Sequence, residues 1–352
     1  MKDRLAGPAL LLIIGLIGGL LAKVIGAPLP YLLGSLIAVG FFVTFAADRS
    51  PVHLYFPMPI REAFVAVIGT MIGGTFTPDG IAAFQTAWLS FAAVFLFIVV
   101  TLTMNYLIFT RIGKYSKATA YYSGMPGGLV DSVTLGEQAG GDPRILTIQH
   151  FMRIVFIITI VPLGFWLLTG DAVGSSAGVS LDVNHVPIKP LDWLIIISAG
   201  LIGYFGGKAI RLPAAFFLGP LIAAAFVHGI GLTQAQLPDW MLEFAQLIVG
   251  TGFGSRFAGM NRKMLLNGMG LGVLSTGSNL IFGLGLAWLL TGPMNQSLDV
   301  LLLCFAPGGI SEMGLIALSL NANPVFVTAH HLLRILVTVG LAAASLNWIK
   351  DG

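Results

Sequence analysis

Long apolar runs, separated by short polar or turn-forming segments, cover most of the chain. Ten of these runs have the roughly 17 to 25 residues that a helix needs to cross a bilayer. They form two sets of five, at 8–26, 29–47, 61–78, 84–110 and 143–169, and at 191–210, 213–231, 240–257, 264–291 and 323–349. Between the fourth and fifth runs of each set lies a shorter glycine-rich stretch, at 117–140 and 298–321. The pattern predicts an all-α protein that crosses the membrane many times.

The two sets are copies of one sequence. Residues 16–38 align with 201–223 at an offset of 185, and residues 126–153 align with 307–334 at an offset of 181. The second alignment has seven identities in 28 positions: a Pro-Gly-Gly, a second proline, a threonine, a histidine and an arginine. Chance similarity between apolar helices would match leucine, isoleucine and valine instead. The sequence therefore predicts three parts, namely a first membrane repeat at 1–170, an extracytoplasmic linker at 171–190 and a second membrane repeat at 191–352.

Basic residues indicate how the copies are oriented, because cytoplasmic loops carry an excess of lysine and arginine. With six spans per copy, nine basic residues fall inside and seven outside, which is no bias. With five spans and a Pro-Gly-Gly segment that enters and leaves on one side, fourteen fall inside and only Lys23 and Lys189 outside. This count predicts two inverted repeats of about five helices, each with a re-entrant segment, and cytoplasmic N- and C-termini. A broken helix that crosses the membrane remains the alternative for that segment.

Composition agrees with a polytopic membrane protein. Hydrophobic residues make up 56% of the chain and charged residues only 9%, against roughly 25% charged residues in soluble domains. The single cysteine, Cys304, cannot form an intramolecular disulfide. The first apolar run follows a short basic start but lacks a small-residue cleavage site, so we interpret it as a spanning helix and not as a signal peptide. No stretch between the runs is long enough for a folded soluble domain.

The Pro-Gly-Gly sequences at 126–128 and 307–309 predict breaks in helices at membrane depth. Irregular backbone there must be buried in protein or line a wet cavity, since lipid satisfies no hydrogen bonds. Glycine allows a ligand to approach the backbone closely, and opposed breaks form the substrate sites of inverted-repeat transporters. A simple turn between helices is the alternative interpretation. We expect a substrate cradle made by the amides of Gly127, Gly128, Gly308 and Gly309.

Asp131 and Glu312 follow the two breaks at equivalent positions. An acidic residue inside the membrane costs roughly 2.5–3.5 kcal/mol on insertion scales, and such residues usually serve a function. We predict that these carboxylates bind the coupling ion, a proton or sodium. Direct hydrogen bonding to the substrate and capping of the amides of their own loop are the alternatives.

Arg153 and Arg334 are also equivalent positions in the two copies. Arg153 lies ten residues into its apolar run, which is about 15 Å at 1.5 Å per residue and near the middle of a roughly 30 Å hydrocarbon core. A buried arginine suits a carboxylate or phosphate ligand through its two-pronged guanidinium group. The alternative is a structural pair with Asp131 or Glu312 that fixes the loop, and both arrangements could occur in one transport cycle.

His150 and His331 precede these arginines by three residues, so each histidine shares a helix face with its arginine. Both histidines are candidates for a proton relay, and packing or hydrogen bonding is an equally good interpretation. Thr147 and Thr328 lie about one turn earlier on the same face. We include both threonines in the expected substrate site.

The doubled pattern M-P-G-G-L-V-D at 125–131 and A-P-G-G-I-S-E at 306–312, each followed by Pro, Thr, His and Arg, resembles the AbrB-type family of duplicated bacterial inner-membrane proteins. The resemblance covers nearly the whole chain, although the first copy lacks the Ser-Glu form of the motif. It implies a layout similar to cation/proton antiporters and to bile-acid-type and glutamate-type symporters. It also implies a multi-pass protein of the bacterial inner, cytoplasmic membrane.

Members of that family are often described as regulators of gene expression or as ammonia monooxygenases, and neither activity follows from the residues. Sequence-specific DNA binding needs a soluble module with a basic recognition element, whereas the longest expected cytoplasmic loop has about fourteen residues. A copper monooxygenase needs several ligands in one cluster. His150, His330 and His331 would form one only by converging with an acidic residue.

The residues therefore predict a secondary transporter of a small anionic or polar metabolite, coupled to H⁺ or Na⁺. We expect no enzymatic activity, no cofactor, no bound metal and no nucleic-acid partner. The expected partners are the substrate, the coupling ion and the lipid bilayer, and a homodimer is left open. The main alternative is a membrane sensor or regulatory protein that affects gene expression indirectly, and a membrane metalloenzyme is the third.

Overall fold

A computed structural model describes residues 3–46, 54–76, 84–169, 188–258, 262–320 and 322–350, and their regular structure is helical throughout. The first half of the chain forms α1 (Asp3–Val24), α2 (Pro30–Ala46), α3 (Met58–Gly74), α4 (Ala87–Leu107), α5 (Lys117–Ser123), α6 (Leu129–Gln138) and α7 (Pro143–Thr169). The second half forms α8 (Pro190–Ala209), α9 (Ala215–Gly229), α10 (Asp239–Ser255), α11 (Arg262–Met294), α12 (Leu298–Phe305), α13 (Ile310–Ser319), α14 (Pro324–Ala344) and α15 (Leu346–Lys350). A π-helical turn, Ile108–Ile112, extends α4.

The helices follow the predicted pattern. Each apolar run contains one helix, and each glycine-rich stretch contains two short helices separated by the Pro-Gly-Gly break. Six helices among the described residues are long and apolar enough to cross a membrane, namely α1, α4, α7, α8, α11 and α14. The other four predicted spans form helices of only 15 to 17 residues. The all-α prediction is confirmed, and the six long helices indicate a membrane protein. The predicted linker at 171–190 lies outside the described residues except for its last three positions.

The chain forms two compact units. The first unit comprises Met1–Gly80, Pro162–Met260 and Gly314–Val325, and the second comprises Ile81–Val161, Asn261–Met313 and Phe326–Gly352. Each unit draws on both sequence copies: α1 to α3 pack with α8 to α10, whereas α4 packs with α11. A sequence repeat is therefore not a spatial unit, and the repeat boundaries proposed from the sequence stay a prediction.

Glycine contacts join the helix pairs of the first unit. Gly18 of α1 lies against Gly34 of α2, and Gly203 of α8 lies against Gly219 of α9 at the equivalent positions. A Cβ atom added to any of the four would overlap a carbonyl oxygen of the facing helix. Small residues at such positions allow two membrane helices to approach closely, so these glycines fix the pairing of α1 with α2 and of α8 with α9.

An unusual backbone conformation also recurs in both copies. Leu29, just before α2, has a φ of 45°, and Ala214, just before α9, has a φ of 47°. The two positions are related by the offset of 185 found in the sequence alignment. Positive φ is uncommon for residues other than glycine, so the shared conformation indicates that the duplication extends to the backbone.

Two ion pairs of the first unit join one sequence copy to the other at equivalent positions. Lys23 at the end of α1 pairs with Glu243 of α10 at 3.1 Å, and Lys208 at the end of α8 pairs with Glu62 of α3 at 3.2 Å. Partly exposed pairs of this kind contribute at most about 1 kcal/mol each. They show how the copies are arranged, because the equivalent lysine of each copy pairs with the equivalent glutamate of the other copy.

Helix α3 and its counterpart α10 run antiparallel within the first unit. Arg61 near the start of α3 lies beside Gly252 near the end of α10. Phe64, further along α3, packs edge to face against Phe244, nearer the start of α10, with ring centroids 5.1 Å apart. Residue numbers therefore increase along α3 in the direction in which they decrease along α10.

We predict that Gly219→Ala destabilises the protein and that Gly206→Ala does not. The added methyl group at position 219 would meet the Gly203 carbonyl oxygen, whereas nothing lies within 4 Å of a Cβ at Gly206. Overpacking of this kind costs about 1–3 kcal/mol. Thermal unfolding of the two variants in the same detergent measures the difference. Equal melting temperatures would show that the glycine contact does not limit the approach of α8 and α9.

Candidate functional site

The Pro-Gly-Gly segment of the first copy is a helical hairpin in the second unit. Gly136 of α6 packs against Tyr122 of α5, where an added Cβ would lie 2.8 Å from the tyrosine Cβ. The Asp142 backbone N–H donates to the Thr119 hydroxyl at 3.0 Å. Helix α6 thus returns along α5, and both ends of the segment lie together. A single broken helix running in one direction would place these residues far apart.

Glycine makes the turn of this hairpin possible. Gly128 has a φ of 59° and directly precedes α6, a conformation that glycine adopts without strain. Gly127 lies against Thr338 of α14, and a Cβ on Gly128 would lie 2.7 Å from the Val339 Cγ2 atom. The break of the first copy therefore sits against the long helix of the second copy.

Side chains of α7 hold the carbonyl groups at this break. The Nε2 atom of His150 donates to the Tyr122 carbonyl oxygen at 2.9 Å. The Nη1 atom of Arg153 donates to the carbonyl oxygen of Met125, the residue just before the Pro-Gly-Gly. Both side chains are buried. They satisfy acceptors that a helix end leaves without an intrahelical partner.

The same arrangement recurs in the second copy, on α14. The Nε2 atom of His331 donates to the Leu303 carbonyl oxygen at 2.8 Å. Arg334 donates from Nη1 to the Ala306 carbonyl oxygen at 2.6 Å and from Nη2 to the Gly308 carbonyl oxygen at 2.7 Å. Each histidine, and each arginine Nη1, follows its acceptor by 28 residues in both copies. We call these four side chains, His150, Arg153, His331 and Arg334, the carbonyl clamp.

Hydrogen bonds within the carbonyl clamp show which ring nitrogen of His331 carries the proton. Arg334 donates from Nη2 to the His331 Nδ1 atom at 2.6 Å. A guanidinium group has no acceptor, so Nδ1 must accept and Nε2 must carry the proton that goes to Leu303. His331 is therefore a neutral imidazole with both nitrogen atoms used. In the first copy, the Nδ1 atom of His150 has no hydrogen-bond partner.

Both arginines carry a buried positive charge. Arg153 is 7% exposed and Arg334 is 1% exposed, and each donates to the carbonyl group just before the break of its own copy. The Nε atom of each guanidinium group has no hydrogen-bond partner. Neither arginine belongs to an ion pair within the part of the chain that the structure describes. The positive charge is therefore balanced only by carbonyl dipoles.

The two acidic candidates have different environments. Asp131 is exposed, whereas Glu312 is 5% exposed and its carboxylate lies against the backbone of Gly309. Neither carboxylate pairs with an arginine among the described residues. The arginines therefore fix the breaks through carbonyl groups, and the pairing of arginine with acid considered from the sequence does not occur in this structure.

The remaining predicted site residues are only partly brought together. Thr328 is 3% exposed and its hydroxyl has no partner. Thr147 is exposed and donates to the Pro143 carbonyl oxygen at 2.7 Å within its own helix. Among the four glycine amides expected in the cradle, that of Gly308 donates instead to the Ala306 carbonyl oxygen at 2.8 Å.

Two residues that the sequence analysis missed also hold the first break. Asn105 of α4 donates from Nδ2 to the Gly124 carbonyl oxygen at 3.0 Å, and Ser132 of α6 donates to the Gly127 carbonyl oxygen at 3.1 Å. Asn105 could have been singled out from the sequence, because it is an asparagine inside an otherwise apolar run. Ser132 has no counterpart in the second copy, where Met313 stands, so the repeat did not point to it.

His150, His330 and His331, the three histidines considered as metal ligands, each bind other groups in this structure. His330 lies among Phe91 and Phe326 and contacts the Ser90 hydroxyl at 2.6 Å. The described residues contain no group of three or more His, Cys, Asp or Glu side chains that could hold a metal ion. His150 and His331 use their Nε2 atoms on main-chain carbonyl groups instead.

Comparison with known protein families finds a match over most of the chain. The sequence model of the AbrB family, described as "Transition state regulatory protein AbrB", matches residues 40–350. The chain belongs to the AbrB family. The match includes both breaks and all four side chains of the carbonyl clamp.

Two relatives of the AbrB family share about a quarter of their residues with this chain. A protein of Escherichia coli (strain K12) named "Putative regulator AbrB" is 25% identical over 311 residues, which are 88% of this chain and 86% of the relative. A protein of Bacillus subtilis (strain 168) named "Uncharacterized protein YhjN" is 24% identical over 292 residues, which are 78% of this chain and 74% of the relative.

We predict that Arg334→Met lowers stability more than Arg153→Met does. The first change leaves the Gly308 carbonyl oxygen and the His331 Nδ1 atom without their donor and removes one of two donors to the Ala306 carbonyl oxygen, and each buried unsatisfied group costs about 1–3 kcal/mol. Exposed Arg144→Met serves as the matched control. Thermal unfolding in detergent measures all three variants. If Arg334→Met melts with the wild type, Arg334 does not support the break.

Proposed function

We propose that this protein is a secondary transporter of a small anionic metabolite, driven by a proton or sodium gradient. The observation that carries the proposal is the pair of buried arginines at the two breaks. Burying an uncompensated charge is costly, and arginine recognises carboxylate and phosphate groups through charge-assisted hydrogen bonds. An anion between the two guanidinium groups would balance the charge that no described carboxylate balances.

The backbone at the breaks also favours the binding of an anion. Helices α6 and α13 begin directly after them, and the N-terminus of a helix favours negative charge because its first amides point outward. The amides of Gly127, Gly128 and Gly309 donate to no backbone carbonyl among the described residues. We assign these three amides, with Arg153 and Arg334, to the bound anion.

The proposed mechanism of transport is alternating access by two inverted repeats. The antiparallel course of α3 and its counterpart α10 supports an inversion of the second copy, as does the distribution of basic residues, since an inverted arrangement has fourteen on one side and two on the other. Inverted repeats with broken segments form midplane substrate sites in transporters of this type. We accordingly place the protein in the bacterial inner membrane with both termini in the cytoplasm.

The coupling ion is assigned to Asp131 and Glu312. Glu312 is the stronger candidate because it is buried beside the second break, whereas Asp131 is exposed. We assign His150 and His331 to positioning of the breaks, since their Nε2 atoms are held by carbonyl groups. A proton relay through them would require those hydrogen bonds to open.

A ligand sensor that acts on gene expression without moving its ligand is the second candidate. The name of the relative from Escherichia coli, "Putative regulator AbrB", favours it. The same anion site would serve both functions. They differ in one measurable property, because a sensor binds an anion but does not carry it across a bilayer.

Uptake by proteoliposomes tests the transporter. Vesicles with an imposed proton or sodium gradient are offered radiolabelled pyruvate, succinate, citrate and phosphate in turn. We expect gradient-driven accumulation of at least one of these anions. Arg153→Gln and Arg334→Gln should each reduce it at least about tenfold, the loss expected for one charge-assisted hydrogen bond.

Controls separate site effects from loss of folding. Arg144→Gln, an exposed change in the same helix as Arg153, should transport at the wild-type rate. Glu312→Gln should bind the anion but lose the response to the gradient. Absence of flux for every anion of the panel, or normal flux in Arg334→Gln, would contradict the proposal.

A further inference from the structure

We propose that Asn279 and Thr276 of α11 form a second half of the anion site and bind a polar group of the ligand. Nothing in the repeated motif points to these residues. The inference rests on the proposed anion site at Arg153 and Arg334, and it extends the site to a further helix. The ligand it implies is an organic anion that carries a hydroxyl, carbonyl or second acidic group.

Both side chains are buried and lack partners. Asn279 is 1% exposed, and neither its Oδ1 nor its Nδ2 atom has a hydrogen-bond partner. Thr276 is also 1% exposed, and its hydroxyl has no partner. A buried amide or hydroxyl without a partner costs about 1–3 kcal/mol. Three such atoms on adjacent turns of one helix point to a group that is absent from the protein chain itself.

The position of these residues follows from their helix face. Gly272, Thr276, Asn279 and Gly283 are spaced by four, three and four residues, so they form one stripe along α11. A Cβ on Gly272 would lie 3.2 Å from the Cβ of Met152, the neighbour of Arg153 in α7. This end of the stripe therefore packs against α7 at the residue that precedes Arg153.

The other end of the stripe reaches the second break. A Cβ on Gly283 would lie 3.2 Å from the Cβ of Phe305. Phe305 directly precedes Ala306, whose carbonyl oxygen receives the hydrogen bond from Arg334. Thr276 and Asn279 lie between these two contacts, on the stretch of α11 that passes from Met152 of α7 to the break held by Arg334.

Charge decides between an anion and a cation as the ligand. Asparagine and threonine offer neutral donors and acceptors, which suit either. The stripe carries no acidic residue, and the break that its far end reaches is held by the guanidinium group of Arg334. The field of a guanidinium group repels a metal cation and attracts an anion. Asn279 and Thr276 then hydrogen-bond a polar group of the anion that the arginines neutralise.

The stripe also makes the site asymmetric. At the offset of 181, the positions in α4 that match Thr276 and Asn279 are Phe95 and Ile98, both apolar. The carbonyl clamp is repeated in both copies, but this pair of polar side chains is present in one copy only.

Cysteine accessibility tests the inference without knowledge of the ligand. Cys304 is the single cysteine of the chain, so Cys304→Ala provides a cysteine-free background. Asn279→Cys and Thr276→Cys are added one at a time and treated in proteoliposomes with methanethiosulfonates that carry either a sulfonate or a trimethylammonium group. Reaction rates are normalised to those of free cysteine. Ala287→Cys, fully buried in the same helix, is the matched control, and gel filtration verifies the fold of each variant.

We expect both site cysteines to react with the anionic reagent at least about tenfold faster than with the cationic one, since a cleft of one charge concentrates counter-ions by that factor or more. Ala287→Cys should not react. Site cysteines as inert as Ala287→Cys, or without charge preference, overturn the inference. If the uptake assay shows flux but the site cysteines do not react, only this inference is refuted. If the site cysteines react with charge preference but the uptake assay shows no flux, only the transport proposal is refuted.

Discussion

The hydrogen bonds from the carbonyl clamp to the main chain are the constraint on which the rest of the structure depends. A helix that stops inside an apolar region leaves carbonyl groups that neither lipid nor neighbouring helices satisfy. Here one histidine and one arginine from a long helix reach the carbonyl groups ahead of each break. The carbonyl groups ahead of each Pro-Gly-Gly sequence are therefore satisfied within an apolar region.

This arrangement buries two positive charges. The proposed function follows from the need to balance them with an anion. Carbonyl dipoles hold Arg153 and Arg334 in place but do not neutralise them, and no described carboxylate does. The Nε atoms of both arginines have no hydrogen-bond partner, and the amides of Gly127, Gly128 and Gly309 donate to no backbone carbonyl among the described residues. Structural support and anion binding are thus compatible roles of the same guanidinium group, since each role uses different N–H groups.

Much of the architecture could be predicted from the sequence, because the duplication shows which polar residues matter. It identified the breaks, the shared face of His150 and Arg153, and the helix that carries each pair. Their partners could not be predicted, because a contact between residues 28 positions apart depends on how α5 and α7 pack. Asn279 could not be found in this way either, since it has no counterpart in the first copy. The composition of the two units likewise depends on contacts between copies, which no repeat pattern specifies.

The central claim is that the two arginines bind an anion that the protein carries across the membrane. The most direct measurement is the transient current that reconstituted protein produces on a solid-supported membrane when an anion is applied by rapid solution exchange. The account predicts a current for at least one small organic anion, and none for that anion in Arg153→Gln or Arg334→Gln. Equal currents in wild type and both variants, or no current for any anion, would contradict it.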